Sequence, residues 1–497
     1  MGKRKLASVF RKSLLAASVL LFAAGAEAAA QHHQHGQPQP SPTATPAATP
    51  AASPAPAQGG HDHTHHGAGA AQPEAGGAEA KSHEHAGMEG HAMHGAGGEG
   101  AGNPEGSGTS WQPASTPGSM LHKQSGDWTI MLHGEAKLGV NAQGGPRGVT
   151  KFESQNWIMP MATRPVGRGR VELRGMFSLE PVTYSGAGSP QLFQTGEVYR
   201  GQPILDAQHP HDLVMELSAR YTHPLGDRAS WFAYFGYPGE PALGPVAFMH
   251  RASASENPAA PLAHHLQDST HISFGVFTTG FTYRWLKVEG SVFNGREPDE
   301  HRYGFEAGPW DSRSVRVSVA PNRDWVFQYS YGLLKNPEPL HEGDTRRQTA
   351  SVQYNRPLRR GNLAAAFIWG RNREEHDGEA FTLNGYTFET TLNFLERNYL
   401  YTRLELVDKR DLLREEDLQR LGFDHHAHPQ FRIGAYTFGY VRDIYRGDNY
   451  SLGLGGDATL YSKPELLDAV YGRNPASFRG FLRIRLGGGS AGAHAGM

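Results

Sequence analysis

The chain predicts an all-β fold, a single antiparallel transmembrane β-barrel of about sixteen strands preceded by a signal peptide and a disordered His-rich tail. Three observations carry that expectation. From Asp127 onward apolar and polar residues alternate over runs of about ten, the length at which a tilted strand crosses a bilayer. The runs number about sixteen, and the even count suits a closed barrel with both ends on one side. The connections between them alternate short and long.

The first run places Trp128, Ile130, Leu132, Gly134, Ala136, Leu138 and Val140 on one face and His133, Glu135 and Lys137 on the other. The last sets Phe478, Gly480, Leu482, Ile484 and Leu486 against Arg479, Arg483 and Arg485. One face is wholly apolar and its opposite carries charge, which fits lipid outside and a polar lumen inside. Strands of a soluble sandwich run nearer five or six residues. Short links fall at 165–168, 283–284 and 395–397, and long ones at 180–212, 238–271, 296–313, 335–346 and 408–430. The barrel is therefore expected over 127–486, with a flexible tail at 487–497.

Residues 1–28 read as an export signal: Lys3, Arg4, Lys5, Arg11 and Lys12 precede an apolar stretch over 14–24 and the small-residue site Ala26-Glu27-Ala28. No later apolar run approaches the roughly 20 residues of a membrane helix, which excludes a helical transporter. The chain has no Cys, so disulfides, thiolate cages and a Cys nucleophile are excluded. A net charge of −2 gives no nucleic-acid partner.

Residues 29–126 hold Ala, Gly, Pro, Ser, Gln and His with almost no branched aliphatic residue, so this tail is expected to be disordered and to carry no core. Its His61, His63, His65 and His66, and then His83, His85, Met88, His91, Met93 and His94, form clusters. Imidazole suits Cu(II), Zn, Ni and Co, and thioether selects Cu(I), so the clusters are candidate metal ligands, with compositional drift in a Gly/Ala-rich tail as the alternative.

Most His of the barrel region falls on the long connections. His209, His211 and Asp212, then His264, His265, Asp268 and His271, then Asp424, His425, His426 and His428 have ligand-like spacing. The plain alternative is that polar loops collect solvated His. The first two groups return to the wall on strands separated by one other, roughly 10 Å apart around the rim. His209, His211 and at least one of His264, His265 or His271 are expected to meet at the outer mouth. Wall charges such as Glu135, Lys137, Glu172, Arg174, Glu289, Arg316, Arg403 and Arg483 should form a mixed-sign lumen network. No nucleotide loop, nucleophile elbow or catalytic carboxylate pair is present, so no enzyme and no required cofactor are expected beyond possible Cu, Zn, Ni or Co ions.

The leader HEHAGMEGHAMH (residues 83–94) ahead of a barrel resembles the copper resistance protein B family of outer-membrane proteins. That resemblance implies copper sequestration in the periplasm or export across the outer membrane. The last strand resembles an outer-membrane assembly signal, which implies partnership with the assembly machinery, although it ends in Leu486 rather than an aromatic. Outer-membrane lipid and transition-metal ions are the other expected partners. Two functions follow: metal tolerance, sequestration or transport, or a porin-like channel in which His richness is incidental.

Overall fold

The computed structural model describes residues 104–338, 342–376, 379–425 and 427–487. The export signal, the tail His/Met clusters, His341, His426 and residues 488–497 lie outside the described residues. Among the described residues nineteen strands follow in chain order. They begin with β1 (Leu121–Ser125), β2 (Trp128–Gln143), β3 (Thr150–Val166), β4 (Gly169–Phe177), β5 (Ser189–Tyr199), β6 (Gln202–Gln208) and β7 (Val214–Pro224). Next come β8 (Ala229–Gly236), β9 (Val276–Tyr283), β10 (Leu286–Phe293), β11 (Ser312–Asn322), β12 (Trp325–Leu334) and β13 (Thr345–Leu358). The series ends with β14 (Gly361–His376), β15 (Glu379–Phe394), β16 (Asn398–Lys409), β17 (Phe431–Arg446), β18 (Tyr450–Ser462) and β19 (Ala476–Leu486).

Sixteen of these close an antiparallel ring, β2-β3-β4-β7-β8-β9 and on through β19, which pairs back onto β2. The extra strand β1 pairs Leu121 with Leu132 and Ser125 with Trp128, at the end of β2 beyond the β19 register, which stops at Arg485 opposite Glu135. Closure leaves the sixteen ring strands paired on both sides. The remaining pair, β5 and β6, is a hairpin inside the first long connection. The expected sixteen-strand barrel and its alternation of short and long connections are both present.

The wall is inverted relative to a water-soluble protein. Along β11, Ser312, Ser314, Arg316 and Ser318 are buried inside, whereas Val315 is 56% exposed outside. Along β12, Gln328 and Ser330 point in, and Trp325, Phe327, Tyr329 and Tyr331 are exposed. A polar interior behind an apolar exterior is stable only where the exterior solvent is itself apolar.

Among the described residues two pieces of chain cross the lumen, and the β5–β6 hairpin packs onto the second through Gln191 and Gln194. One is the stretch 104–116, which corrects the expectation of a coreless tail reaching residue 126. Trp111 is buried against Ala320 and Val326. Thr109 donates to Glu289 at 2.6 Å and accepts from Arg316 at 2.9 Å, and Arg174 donates to the Gly108 carbonyl at 2.7 Å. The signal was the single large aromatic at Trp111, in a stretch otherwise too poor in apolar residues to stand alone.

The second piece is the connection 237–275, expected at the mouth but folded into the barrel. The Ala242 N–H donates to Ser291 on β10 at 2.7 Å, and the Gly244 N–H to Ser330 on β12 at 3.0 Å. Arg251 reaches Glu389 on β15 at 2.8 Å, and Glu256 pairs with Arg483 on β19. The loop thus crosses the lumen from its own strands to the far wall. Wall glycines admit it: a Cβ on Gly370 would stand 2.2 Å from the Leu266 carbonyl oxygen.

Candidate functional site

The first long connection supplies half of the site. Its helix α1 (Glu180–Thr183) carries Glu180, and the β5–β6 hairpin carries Glu197 and leads into His209 and His211. Wall amides hold the hairpin: Asn141 donates to the Pro190 carbonyl at 2.7 Å, and Gln143 accepts from the Leu192 N–H at 3.0 Å. The second long connection supplies helix α2 (His264–Gln267) and the following tight turn, which ends at His271.

These two connections bring five imidazoles into a closed ring. Ring centroids lie 6.2 Å apart for His209 and His265, 5.4 Å for His265 and His264, and 5.2 Å for His264 and His271. The circuit closes through His271 and His211 at 5.3 Å and His211 and His209 at 6.4 Å. The expected meeting of His209 and His211 with the 264–271 group is therefore the geometry found.

Each ring except His265 has Nδ1 fixed by a close partner. His211 Nδ1 meets Glu180 at 2.8 Å, His264 Nδ1 meets Asp268 at 2.7 Å, and His271 Nδ1 meets the Asp268 carbonyl at 2.8 Å. His209 Nδ1 meets the Pro210 carbonyl at 3.0 Å. This is the arrangement that frees Nε2 as a metal-binding lone pair. Nε2 of His211 and of His271 is buried with no hydrogen-bond partner. His209 Nε2 instead faces Glu197 Oε1, and Glu197, His209 and His265 bring one donor atom each to within 4.8 Å of one another.

Burial sets the protonation of the ring. It holds His209 and His271 well below the ordinary imidazole range, the first helped by Arg302 and the second by the neighbouring His264. It lowers His264 as well and brings His265 down to about 4. His211 goes the other way: burial lowers it, but the charge and hydrogen bond of Glu180 together with the Asp212 charge raise it above the ordinary range. Burial and the nearby Glu197 charge push Glu297 up to about 8, and burial lifts Asp212 to about 6 against the pull of Arg302.

The expected Asp ligands are otherwise engaged. Asp268 is held by Arg251 and His264, and Asp212 by Arg302 at 3.3 Å. His425 and His428 stand apart on the exposed side of an outer cleft, with His428 on Asp411 at 2.6 Å. The sequence reading passed over Glu180, Glu197, Glu297 and Arg302. Only Glu197 has a local signal, the turn Arg200-Gly201 between Val198-Tyr199 and Ile204-Leu205, a hairpin pattern within the long connection; Glu180, Glu297 and Arg302 have none.

Also unforeseen is a thioether cluster adjoining the ring. Met159, Met176, Met215 and Met249 pack with Phe248, whose ring lies 5.4 Å from His264 and 6.0 Å from His211. His133 Nε2 approaches the Met159 sulfur at 3.2 Å, and His250 Nε2 approaches the Met176 sulfur at 3.3 Å. These Met come from β3, β4, β7 and the 237–275 connection, so no local sequence window contains the cluster.

On the long-connection side a cleft of about 720 Å³ opens onto Glu197 and His265. Six Asp or Glu side chains line it against three Lys or Arg side chains, and burial raises three of the six, Glu197, Glu338 and Glu374.

No protein-family model matches the chain, and no curated protein does, so the resemblance to copper resistance protein B gains no support there. Among solved structures, an anion-selective porin from Comamonas acidovorans is similar at 9% identity and TM-score 0.47, over 72% of this chain and 99% of that one. OmpF of Salmonella typhi, in complex with daunomycin, is similar at 11% identity and TM-score 0.45, over 73% of this chain and 100% of that one. OprB of Pseudomonas putida is similar at 10% identity and TM-score 0.42, over 72% and 93%. These are likenesses of fold alone, and the closed strand order stands on its own pairing.

Proposed function

We propose that the chain is a porin-like outer-membrane barrel whose passage is shut by residues 104–116 and 237–275 and whose outer cleft collects small cations. The inverted wall carries the membrane reading, with Val315, Phe327 and Tyr329 exposed outside and Arg316, Gln328 and Ser330 buried inside. Thirteen of the sixteen wall strands have the nine or more residues that cross a bilayer at the usual tilt, and β8, β9 and β10 have eight. In planar bilayers the full chain should give rare, small openings with cation preference. Steady, large, anion-selective conductance would contradict both the closure and the charge of the cleft.

A second reading, transition-metal handling, is favoured by one observation: the five-imidazole ring touches the thioether cluster through Phe248. Nitrogen and sulfur donors select transition metals over Mg and Ca. Cells expressing the chain should differ from cells lacking it in accumulated Zn or Cu. Equal accumulation across a range of external metal would remove this reading and leave the channel.

A further inference from the structure

We infer that Glu197, His209 and His265 bind one divalent transition-metal ion of the Zn(II), Co(II) and Ni(II) class, where the outer cleft meets the imidazole ring. The inference deepens the transition-metal reading by naming site and ion class, and its test in detergent is independent of any transport measurement. Three donors, two nitrogens and one carboxylate oxygen, lie within 4.8 Å of one another. An ion about 2.1 Å from each in tetrahedral geometry needs donors about 3.4 Å apart, so small side-chain rotations that part Glu197 from His209, now in direct contact, would seat it. Two imidazoles with one carboxylate suit borderline dications, and the hard ions Mg and Ca prefer all-oxygen sites.

The surroundings orient the donors. The Pro210 carbonyl takes His209 Nδ1 and directs Nε2 toward Glu197. Arg302 holds the other Glu197 oxygen at 2.7 Å, leaving Oε1 for the imidazole side. The His265 ring lies over Gly196, whose φ is +127° and where a Cβ would come within 2.8 Å of the ring. Only glycine fits both the backbone and the approach.

A second observation points to a ligand rather than a plain His–Glu contact. Glu297 leaves Oε2 buried without a partner while its Oε1 stands 3.4 Å from His265 Nδ1. Nε2 of His211 and of His271 is likewise buried and unpartnered in the rings that complete the circuit. A buried polar atom left unmatched costs about 1–3 kcal/mol, and Glu297, in contact with the ligand His265, carries one beside the proposed site. Three protein ligands leave a fourth position toward the cleft, as in sites that exchange their ion or bind water.

The test uses the full chain purified in detergent, with Co(II) as the probe and Zn(II) as competitor. The H209Q/H265Q double variant should bind one Co(II) fewer than the parent and lose the visible band of low-coordinate Co(II). E197Q should weaken Zn(II) competition at that band by about tenfold or more. The tail is identical in all three proteins, so its binding cancels in the difference. Heat-modifiable gel migration establishes that each variant has folded. In the unmodified chain, Zn(II) should also protect His209 and His265 from carbethoxylation, read by peptide mass spectrometry. Equal stoichiometry and spectrum in the variants, or equal modification with and without Zn(II), would overturn the site and reduce Glu197–His209 to an ordinary ion pair.

Discussion

The guanidiniums of Arg251 and Arg316 and the five-imidazole ring are buried within one barrel, yet their polar atoms are partnered in different ways. Arg251 spends Nε and Nη2 on Glu389 and Nη1 on Asp268 and the Val246 carbonyl. Arg316 is matched by Glu289, Ser110, Thr109 and the Gly244 carbonyl. Every N–H-bearing atom of these two side chains has an acceptor, and each acceptor set joins the wall to a piece of chain inside the lumen. The imidazole ring, by contrast, fixes Nδ1 and leaves Nε2 of His211 and His271 without partners. The first arrangement closes a structure. The second holds donors ready at a standing cost in stability.

The largest effect should follow from breaking the matched region. Arg251→Ala leaves Glu389 and Asp268 buried with less compensation, at a cost of about 3–5 kcal/mol. Because Arg251 ties the 237–275 connection to β15, the loss should appear as faster hydrogen exchange across that connection and larger bilayer conductance. Unchanged exchange and conductance would show that the network does not hold the loop. Trp111→Ala should come next, at about 3 kcal/mol for a buried indole, with faster exchange confined mainly to 104–116.

The comparison also has a pH signature. Burial pushes Glu240 up to about 7 even though Arg316 and Ser110 pull the other way. Between its unfolded value of 4.5 and about 7 the native state therefore holds the proton that the unfolded chain releases. Stability from this group falls as pH rises through that window, by up to about 3 kcal/mol. Glu240→Gln should match the parent near pH 4 and unfold at a higher temperature by pH 8. A constant difference between the two melting curves across this range would exclude the linkage. The smallest effect belongs to the ring. His271→Asn keeps a donor for the Asp268 carbonyl and removes the unpartnered Nε2, so metal-free stability should change by less than about 1 kcal/mol.

The wall was legible because most of its strands repeat one rule. The alternation seen at Trp128–Val140 recurs at β10, β11 and β12, and lipid outside with polar lumen inside leaves little freedom of register. The meeting of His209 and His211 with His264, His265 and His271 was legible for a related reason: once strand order is known, the ends of connections are placed. The carboxylates were not. Glu180 and Glu197 reach the ring only through the inward fold of a helix and a hairpin within a long connection, and long-range packing decides that fold. The same holds for Met159, Met176, Met215 and Met249, which three wall strands and a lumen loop bring together. The ordered stretch 104–116 has little local propensity and takes its shape from the barrel around it.

The two regions can be told apart in a single map. Crystals of the full chain soaked in Zn(II), with data collected on both sides of the zinc absorption edge, report the ion by its anomalous signal. The account predicts one peak among Glu197, His209 and His265, and no peak at Arg251, Arg316 or their partners. A map without that peak, at a zinc concentration that saturates binding in solution, would contradict it.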